Sequence, residues 1–489
     1  MAQDNSAIDL SGCARAMLAA LAQRKVSAEE LLALHLDRID RLNAGVNAVV
    51  TIDRDGAFAR ARAADVRRAA GQPLGRLDGL PMTVKDSIRT RGIRTVVGFE
   101  ALRDHVPEVD AGVITRIVRD GANVFGKTNV PTMASDIQTY NSVFGVTRNP
   151  WSAAHAVGGS SGGSAAALAM GFTPLEIGSD IAGSLRVPAH ACGVYSHKPT
   201  LDLVPEEGHI PPPPGIVGST QLATLGPMAR SADDLALLFD VLIDDAPADH
   251  PRWRAQLGAP RHATLREHRI AVWLTDPRLA ADDETVALLE RVGIALQRAG
   301  THVDFKARPF SDTDVVADAY LQLVLPLLAG DATPQSIADA VARLEASRPV
   351  AAAHARRVSP AAATMEAVFA AKEVQARTTR AWARFFRDYD AVICPVMPSA
   401  IMAHMHDEAS WARTVTVAGR EIAYWEQALW CGALATFAFL PATARPIARA
   451  TQGTPIGIQI VGPYLEDRTT IHLAGLLDEV FGGFASPPV

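Results

Sequence analysis

Between residues 158 and 188 the chain carries two segments dense in glycine and serine. They are Gly158-Gly159-Ser160-Ser161-Gly162-Gly163-Ser164 and Asp180-Ile181-Ala182-Gly183-Ser184-Leu185-Arg186-Val187-Pro188. Glycine at this density opens backbone conformations that a side chain would block. Upstream, the strand-like Leu80-Pro81-Met82-Thr83-Val84 ends on Lys85 and Asp86. A serine hydroxyl becomes a useful nucleophile only when something removes its proton, and glycines let N–H groups converge on an oxygen that turns negative. The three segments thus supply a nucleophile, a base and an anion hole.

The glycine-serine run by itself has three readings. A phosphate cradle wants Lys-Ser/Thr after its last glycine, and no lysine stands there. A nucleophile elbow, G-x-S-x-G, is matched at Ser160 and again at Ser161, yet the elbow needs a strand before it and Asn149 to Val157 contains Pro150, Ser152 and His155. A flexible serine loop is the third. Spacing to the other two segments is what separates them.

Elsewhere, short apolar runs alternate with helix-like stretches. Ser27-Ala28-Glu29-Glu30 is a capping box with Val26 and Leu31 as a hydrophobic staple, and Leu31, Leu34, Ile39 and Leu42 continue at near-helical spacing. Strands are expected at Pro81 to Val84, Gly121 to Gly126, Leu175 to Ile177, Ala391 to Pro395 and Ile456 to Val461. Helices are expected at Val113 to Arg119, Ser164 to Met170, Ala229 to Ile243 and Thr469 to Val480. This alternation implies an α/β fold with a mixed sheet, to which pieces from both ends contribute. The proline- and glycine-rich Glu206 to Gly226, including Pro211 to Pro214, reads as a surface excursion. An alanine-rich helical block between Thr313 and Asp388, broken at Pro326, Pro334, Pro349 and Pro360, reads as a lid or pocket wall. Residues 1–489 are taken as one domain, with a helical region over 1–70, a core over 75–245 and a variable block over 305–388.

Composition excludes several functions. A net charge of −6, with only short clusters such as Arg60 to Arg68 and Arg356-Arg357, offers no stripe for a phosphate backbone, so nucleic acid is not an expected partner. No run approaches the ~18 apolar residues of a membrane span, Met1 to Asp9 has no leader pattern, and Cys13, Cys192, Cys394 and Cys431 show no paired spacing. A cytoplasmic protein with reduced thiols is expected, with a homodimer as the default oligomer.

The Lys85 segment, the Gly158 to Ser164 run, and Asp180 to Pro188 followed by Cys192-Gly193 and Lys198-Pro199-Thr200 together resemble the amidase signature family. The spacing agrees with that family: 75 residues from Lys85 to Ser160 and 24 from Ser160 to Ser184. Further matches run from Gly126-Lys127-Thr128-Asn129 through Arg148-Asn149-Pro150-Trp151 to Pro455-Ile456-Gly457-Ile458-Gln459. The resemblance implies a single large domain built on a central twisted mixed sheet flanked by helices. It also implies a metal-independent, cofactor-free hydrolase of small carboxylic amides, with esters and carbamates as further substrates. Ser184 would be the nucleophile, Ser160 a bridging serine after a cis peptide, and Lys85 the base. The N–H groups of Ile181, Ala182, Gly183 and Ser184 would form the oxyanion hole, and Ala134, Ser135 and Asp136 would face the acyl group. The same family contains ammonia-delivering amidotransferase subunits, and a catalytically silent binding protein is conceivable on the same scaffold.

The chemistry asks for an uncharged lysine, so Lys85 must be buried and Asp86 must point elsewhere. Two departures from the family stand out: Ala182 where glycine is usual, and Ser196-His197 where Gly-Leu is usual. Arg186 is expected to pair with Asp180 or another acid, and Asp136 competes as a turn cap. His404-x-His406-Asp407 has the look of a chelating pair but lies late, in a loop, and is read as solvated.

Overall fold

Ser27 opens the helix Ala28–Val46 as its capping box requires, with its hydroxyl accepting from Glu30 N and the Glu30 carboxylate accepting from Ser27 N. The buried stripe of that helix is Leu31, Leu32, Leu36 and Ile39, whereas Leu34 faces solvent. The computed structural model describes residues 8–72, 75–210, 220–243, 257–328, 333–359 and 362–488. Pro211 to Pro214, Pro360 and most of Met1 to Asp9 lie outside the described residues.

Two sheets organise the site. In the first, of three strands, β1 (Val49–Ile52) pairs antiparallel with β3 (Asn123–Thr128), which pairs parallel with β2 (Pro81–Lys85). After a short hairpin, β4 (Tyr140–Asn141) and β5 (Gly145–Val146), come β6 (Leu175–Asp180), β7 (Tyr195–Lys198), β8 (Thr224–Ala229), β9 (Arg269–Val272), β10 (His302–Asp304) and β11 (Ala391–Pro395). A second hairpin, β12 (Thr414–Val417) and β13 (Arg420–Ala423), precedes β14 (Ala442–Arg449) and β15 (Pro455–Val461). The second sheet has eight strands in the order β10-β9-β11-β15-β14-β7-β8-β6. Its β9–β10 and β9–β11 pairs are parallel and the others antiparallel, so it is the mixed sheet of a single α/β domain.

The strands expected from both ends do not share one sheet. C-terminal β14 and β15 join the large sheet, while β2, which carries Lys85, belongs to the small one and packs beside β6. Every residue of β2 and β6 is buried, which explains their near-continuous apolar character. A second correction concerns Thr224 to Gly226, expected to end a surface excursion. These residues open β8, which is buried throughout and precedes the helix Ala232–Leu242. Pro227, which lacks an N–H, lies just past the point where pairing with β7 stops, so the ladder tolerates it.

The block after residue 305 is helical as expected, with Thr313–Val324, Pro334–Leu344, Pro349–Val358 and Met365–Phe385. Among the described residues no helix is long and apolar enough to cross a membrane, and all four cysteines are free.

Candidate active site

Lys85 ends β2, and its side chain runs into the seam between β2 and β6. Its Nζ lies 2.7 Å from Ser160 Oγ and 2.7 Å from Ser179 Oγ, and no part of the residue reaches solvent. Removal from water disfavours the charged amine and pulls its pKa down to about 7, against the opposing fields of Asp180 and Glu176. Asp86 does point elsewhere: its carboxylate accepts from the N–H groups of Val96 and Val97. Burial raises the Asp86 carboxyl, with Lys127 opposing.

Ser160 precedes the fully buried helix Gly162–Ala169, and the Gly159–Ser160 peptide is cis. The run is neither a flexible loop nor a phosphate cradle, because its glycines are there for contact. A Cβ on Gly159 would come within 2.6 Å of the Asp136 carbonyl, and one on Gly158, which has φ +81°, within 2.7 Å of Pro188 Cα. Main chain from three parts of the sequence meets here.

Ser184 sits in the turn between β6 and the helix Arg186–Cys192, with its carbonyl accepting from Ser161 N at 3.2 Å. Of the four expected hole donors, Gly183 N–H is committed, donating to Asp180 Oδ1 at 2.8 Å. No hydrogen bond among the described residues engages the N–H groups of Ile181, Ala182 or Ser184. Left-handed backbone falls on Gly183, at φ +98°, and not on Ala182. The alanine therefore carries no backbone penalty.

Asp180 and Arg186 form a two-point buried pair, with Nε to Oδ2 and Nη2 to Oδ1 both 2.9 Å. Arg186 also donates to the Cys431 carbonyl, Gln459 Oε1 and Thr436 Oγ1. Burial alone would raise Asp180, but Arg186, together with Lys198 and the Gly183 N–H, holds the carboxyl below its usual range. That pairing offsets the negative field on Lys85.

The acyl-facing expectation divides. Ala134 follows Met133 in left-handed backbone, at φ +56°, and Ser135 Oγ donates to the Met133 carbonyl. The Asp136 carboxylate makes the turn-capping contact, accepting from Gln138 N, and also accepts from Tyr424 Oη at 2.6 Å and pairs with Arg413 at 2.8 Å. The histidine pair lies in a loop with Nδ1 of His404 3.3 Å from Nε2 of His406, and His406 stacks on Tyr140. No cluster of three or more metal-ligand side chains exists among the described residues. His197 is buried on β7 between Thr443 Oγ1 and Asp467 Oδ1, with its ring edge-on to Phe239.

Two groups escaped the reading of the sequence. Ser179 is the second hydroxyl on Lys85, and Glu176 accepts from Thr83 Oγ1 at 2.5 Å while burial raises its carboxyl to about 7. The only signal for either was a place in β6, Ser179 four residues before Gly183 and Glu176 three residues before Ser179.

The chain is thus an α/β protein in which a lysine at the end of the small sheet's β2 is buried against β6, the edge strand of the mixed eight-stranded sheet, and hydrogen-bonds to two serine hydroxyls. A family model described as Amidase matches residues 30–471, and the chain belongs to the amidase signature family. A glutamyl-tRNA(Gln) amidotransferase subunit from Synechococcus sp. is 30% identical over 493 residues, 95% of this chain and 95% of that protein. The subunit of the same name from Acidothermus cellulolyticus is 41% identical over 260 residues, and there the chain spans half the relative's length, 52% of this chain and 50% of that protein. A crystal structure of an amidase superposes with a TM-score of 0.78 at 25% identity, covering 96% of this chain and 100% of that one.

Proposed function

We propose that this chain is an amide hydrolase that works through an acyl-enzyme on Ser184, with Ser160 as the bridging serine and Lys85 as the base. The observation that carries the reading is the buried Lys85 Nζ, 2.7 Å from Ser160 Oγ, with its pKa pulled to about 7. An amine that is uncharged near neutrality has a lone pair for the Ser160 proton while one of its N–H bonds donates to Ser179.

In this scheme Ser184 Oγ attacks the amide carbon. Its proton passes to Ser160 as the Ser160 proton passes to Lys85. The carbonyl oxygen, now negative, is met by N–H groups of the 181–184 turn, with Gly183 withheld by Asp180. Collapse breaks the C–N bond, and the proton returns along the relay to the leaving nitrogen, which departs as the neutral amine. Water then attacks the Ser184 ester by the same relay and releases the carboxylic acid. The relay needs no metal or cofactor. Esters and carbamates fit the same steps, with Ala134 and Ser135 beside the acyl group. We further infer a cytoplasmic location and one functional unit, with the helical block over 305–388 walling the site.

A fluorophosphonate, which traps an activated serine, should label the protein on Ser184, and Ser184→Ala should abolish the label. Peptide mapping to Ser161 or Ser164 would overturn the assignment, and an unlabelled protein would favour the silent scaffold.

A second reading is favoured by the relative aligned over 95% of both chains, whose name is that of an amidotransferase component. Here the site would release ammonia to an acyl acceptor within a complex. Turnover of simple aryl or aliphatic amides by the isolated chain supports the hydrolase, whereas glutamine cleavage that appears only with added partner subunits supports the second reading.

A further inference from the structure

The turn after β6 holds successive peptide units by alternate ends. Among the described residues only Gly159–Ser160 is cis, and a trans unit points its C=O and N–H in opposite directions, so a donor that grips the carbonyl decides where the N–H aims. The Gly183 carbonyl accepts from Val187 N at 2.7 Å, which turns the Ser184 N–H away from the following helix. The Ala182–Gly183 unit is gripped at its other end, by Asp180 on the Gly183 N–H. The Ile181–Ala182 unit is gripped through its carbonyl, which accepts from Tyr320 Oη at 3.0 Å. That leaves the Ala182 N–H free and directed opposite to the phenol.

We propose that Tyr320 is a positioning residue for the oxyanion hole, its hydroxyl fixing the Ile181–Ala182 peptide so that the Ala182 N–H meets the developing oxyanion. The proposal rests on Ser184 being the nucleophile. An untethered peptide unit can rotate and withdraw its donor; with alanine at 182 in ordinary backbone space, the tether sets the direction. The phenol reaches the turn because residue 432 has no side chain, since a Cβ there would lie 2.2 Å from the Tyr320 ring. An edge contact with Phe437, at 6.2 Å between centroids, completes the seat. Burial holds the phenol well above its ordinary pKa, so it stays a donor across the working range. The helix Thr313–Val324 thus reaches the site through one hydroxyl.

Tyr320→Phe keeps the ring and removes the grip. Deleting a hole donor outright costs about 10²–10³ in kcat, so loosening one should lower kcat about tenfold on amides and activated esters alike, with KM within about twofold. Fluorophosphonate labelling of Ser184 should slow by the same factor, because its P=O occupies the hole, while the melting temperature stays within about 2 °C. Unchanged kcat, a loss confined to KM, or a loss that follows a fall in melting temperature would overturn the proposal. Failure of the wild-type chain to label at Ser184 refutes the nucleophile and this inference together; normal labelling with an unaffected Tyr320→Phe refutes the inference alone.

Discussion

An amine stripped of water costs the fold something, and the sign of that cost is testable. In the unfolded chain Lys85 is charged below about 10.5; in the fold its pKa is about 7. Between those values the unfolded state binds more protons, so stability rises with pH across the window, and below 7 the full penalty is present. Lys85→Met should therefore abolish amide turnover yet raise stability to denaturant at pH 7, by a gain bounded at ~5 kcal/mol that shrinks toward pH 10. For the wild type, kcat should climb through a midpoint near pH 7 and level off above it, as the uncharged amine becomes the majority form. A flat profile from about pH 5 to 9, or a Met variant less stable at every pH, would contradict the base assigned to Lys85. The lysine and its serine were legible in the sequence because Lys85 closes a strand-like run and Ser160 lies within a glycine-serine run. Ser179, Glu176 and the Arg413 partner of Asp136 were not, because those contacts depend on how distant pieces pack.

At the scale of the element, the turn between β6 and Arg186–Cys192 does its work through one backbone angle. Gly183 has φ +98°, and an added Cβ would press to 3.0 Å on Cys431 Cβ and 3.0 Å on Val187 Cγ2. Gly183→Ala should reduce kcat by roughly 10²-fold or more, because relieving that strain rotates the units that carry the hole donors. Binding of a substrate analogue, measured calorimetrically, should change much less, and equal losses in both would show a collapsed pocket instead. The capping box at Ser27 and the strand Ala391–Pro395 could be read locally because side-chain pattern and structure agree there. β8 could not: Gly226 and Pro227 signal a turn, yet a Cβ on Gly226 would lie 2.2 Å from the His197 carbonyl, so glycine is required by a neighbouring strand. Glycine for proximity and glycine for a turn look alike in one dimension.

Across the whole molecule, Arg186 ties the nucleophile turn to distant C-terminal parts of the chain, through the Cys431 carbonyl, Thr436 and Gln459. Nearness along the chain was enough to predict an Asp180 partner; the C-terminal acceptors became visible only once β15 was seen to enter the same sheet as β6. The guanidinium serves two ends at once. It satisfies buried acceptors that would otherwise cost stability, and it neutralises a carboxylate whose field acts on Lys85. Arg186→Lys keeps the charge but cannot reproduce the two-point contact or reach all the acceptors. It should destabilise the protein by about 3 kcal/mol, read from chemical denaturation. It should also move the kcat–pH midpoint upward, because a less well compensated Asp180 favours the charged amine at residue 85. A stability loss with the midpoint unmoved would show that Asp180 does not act electrostatically on the base. A midpoint shift without loss of stability would show that the C-terminal acceptors do not depend on Arg186. Both changes together would show that one buried cation couples the closure of the large sheet to the proton affinity of the catalytic amine.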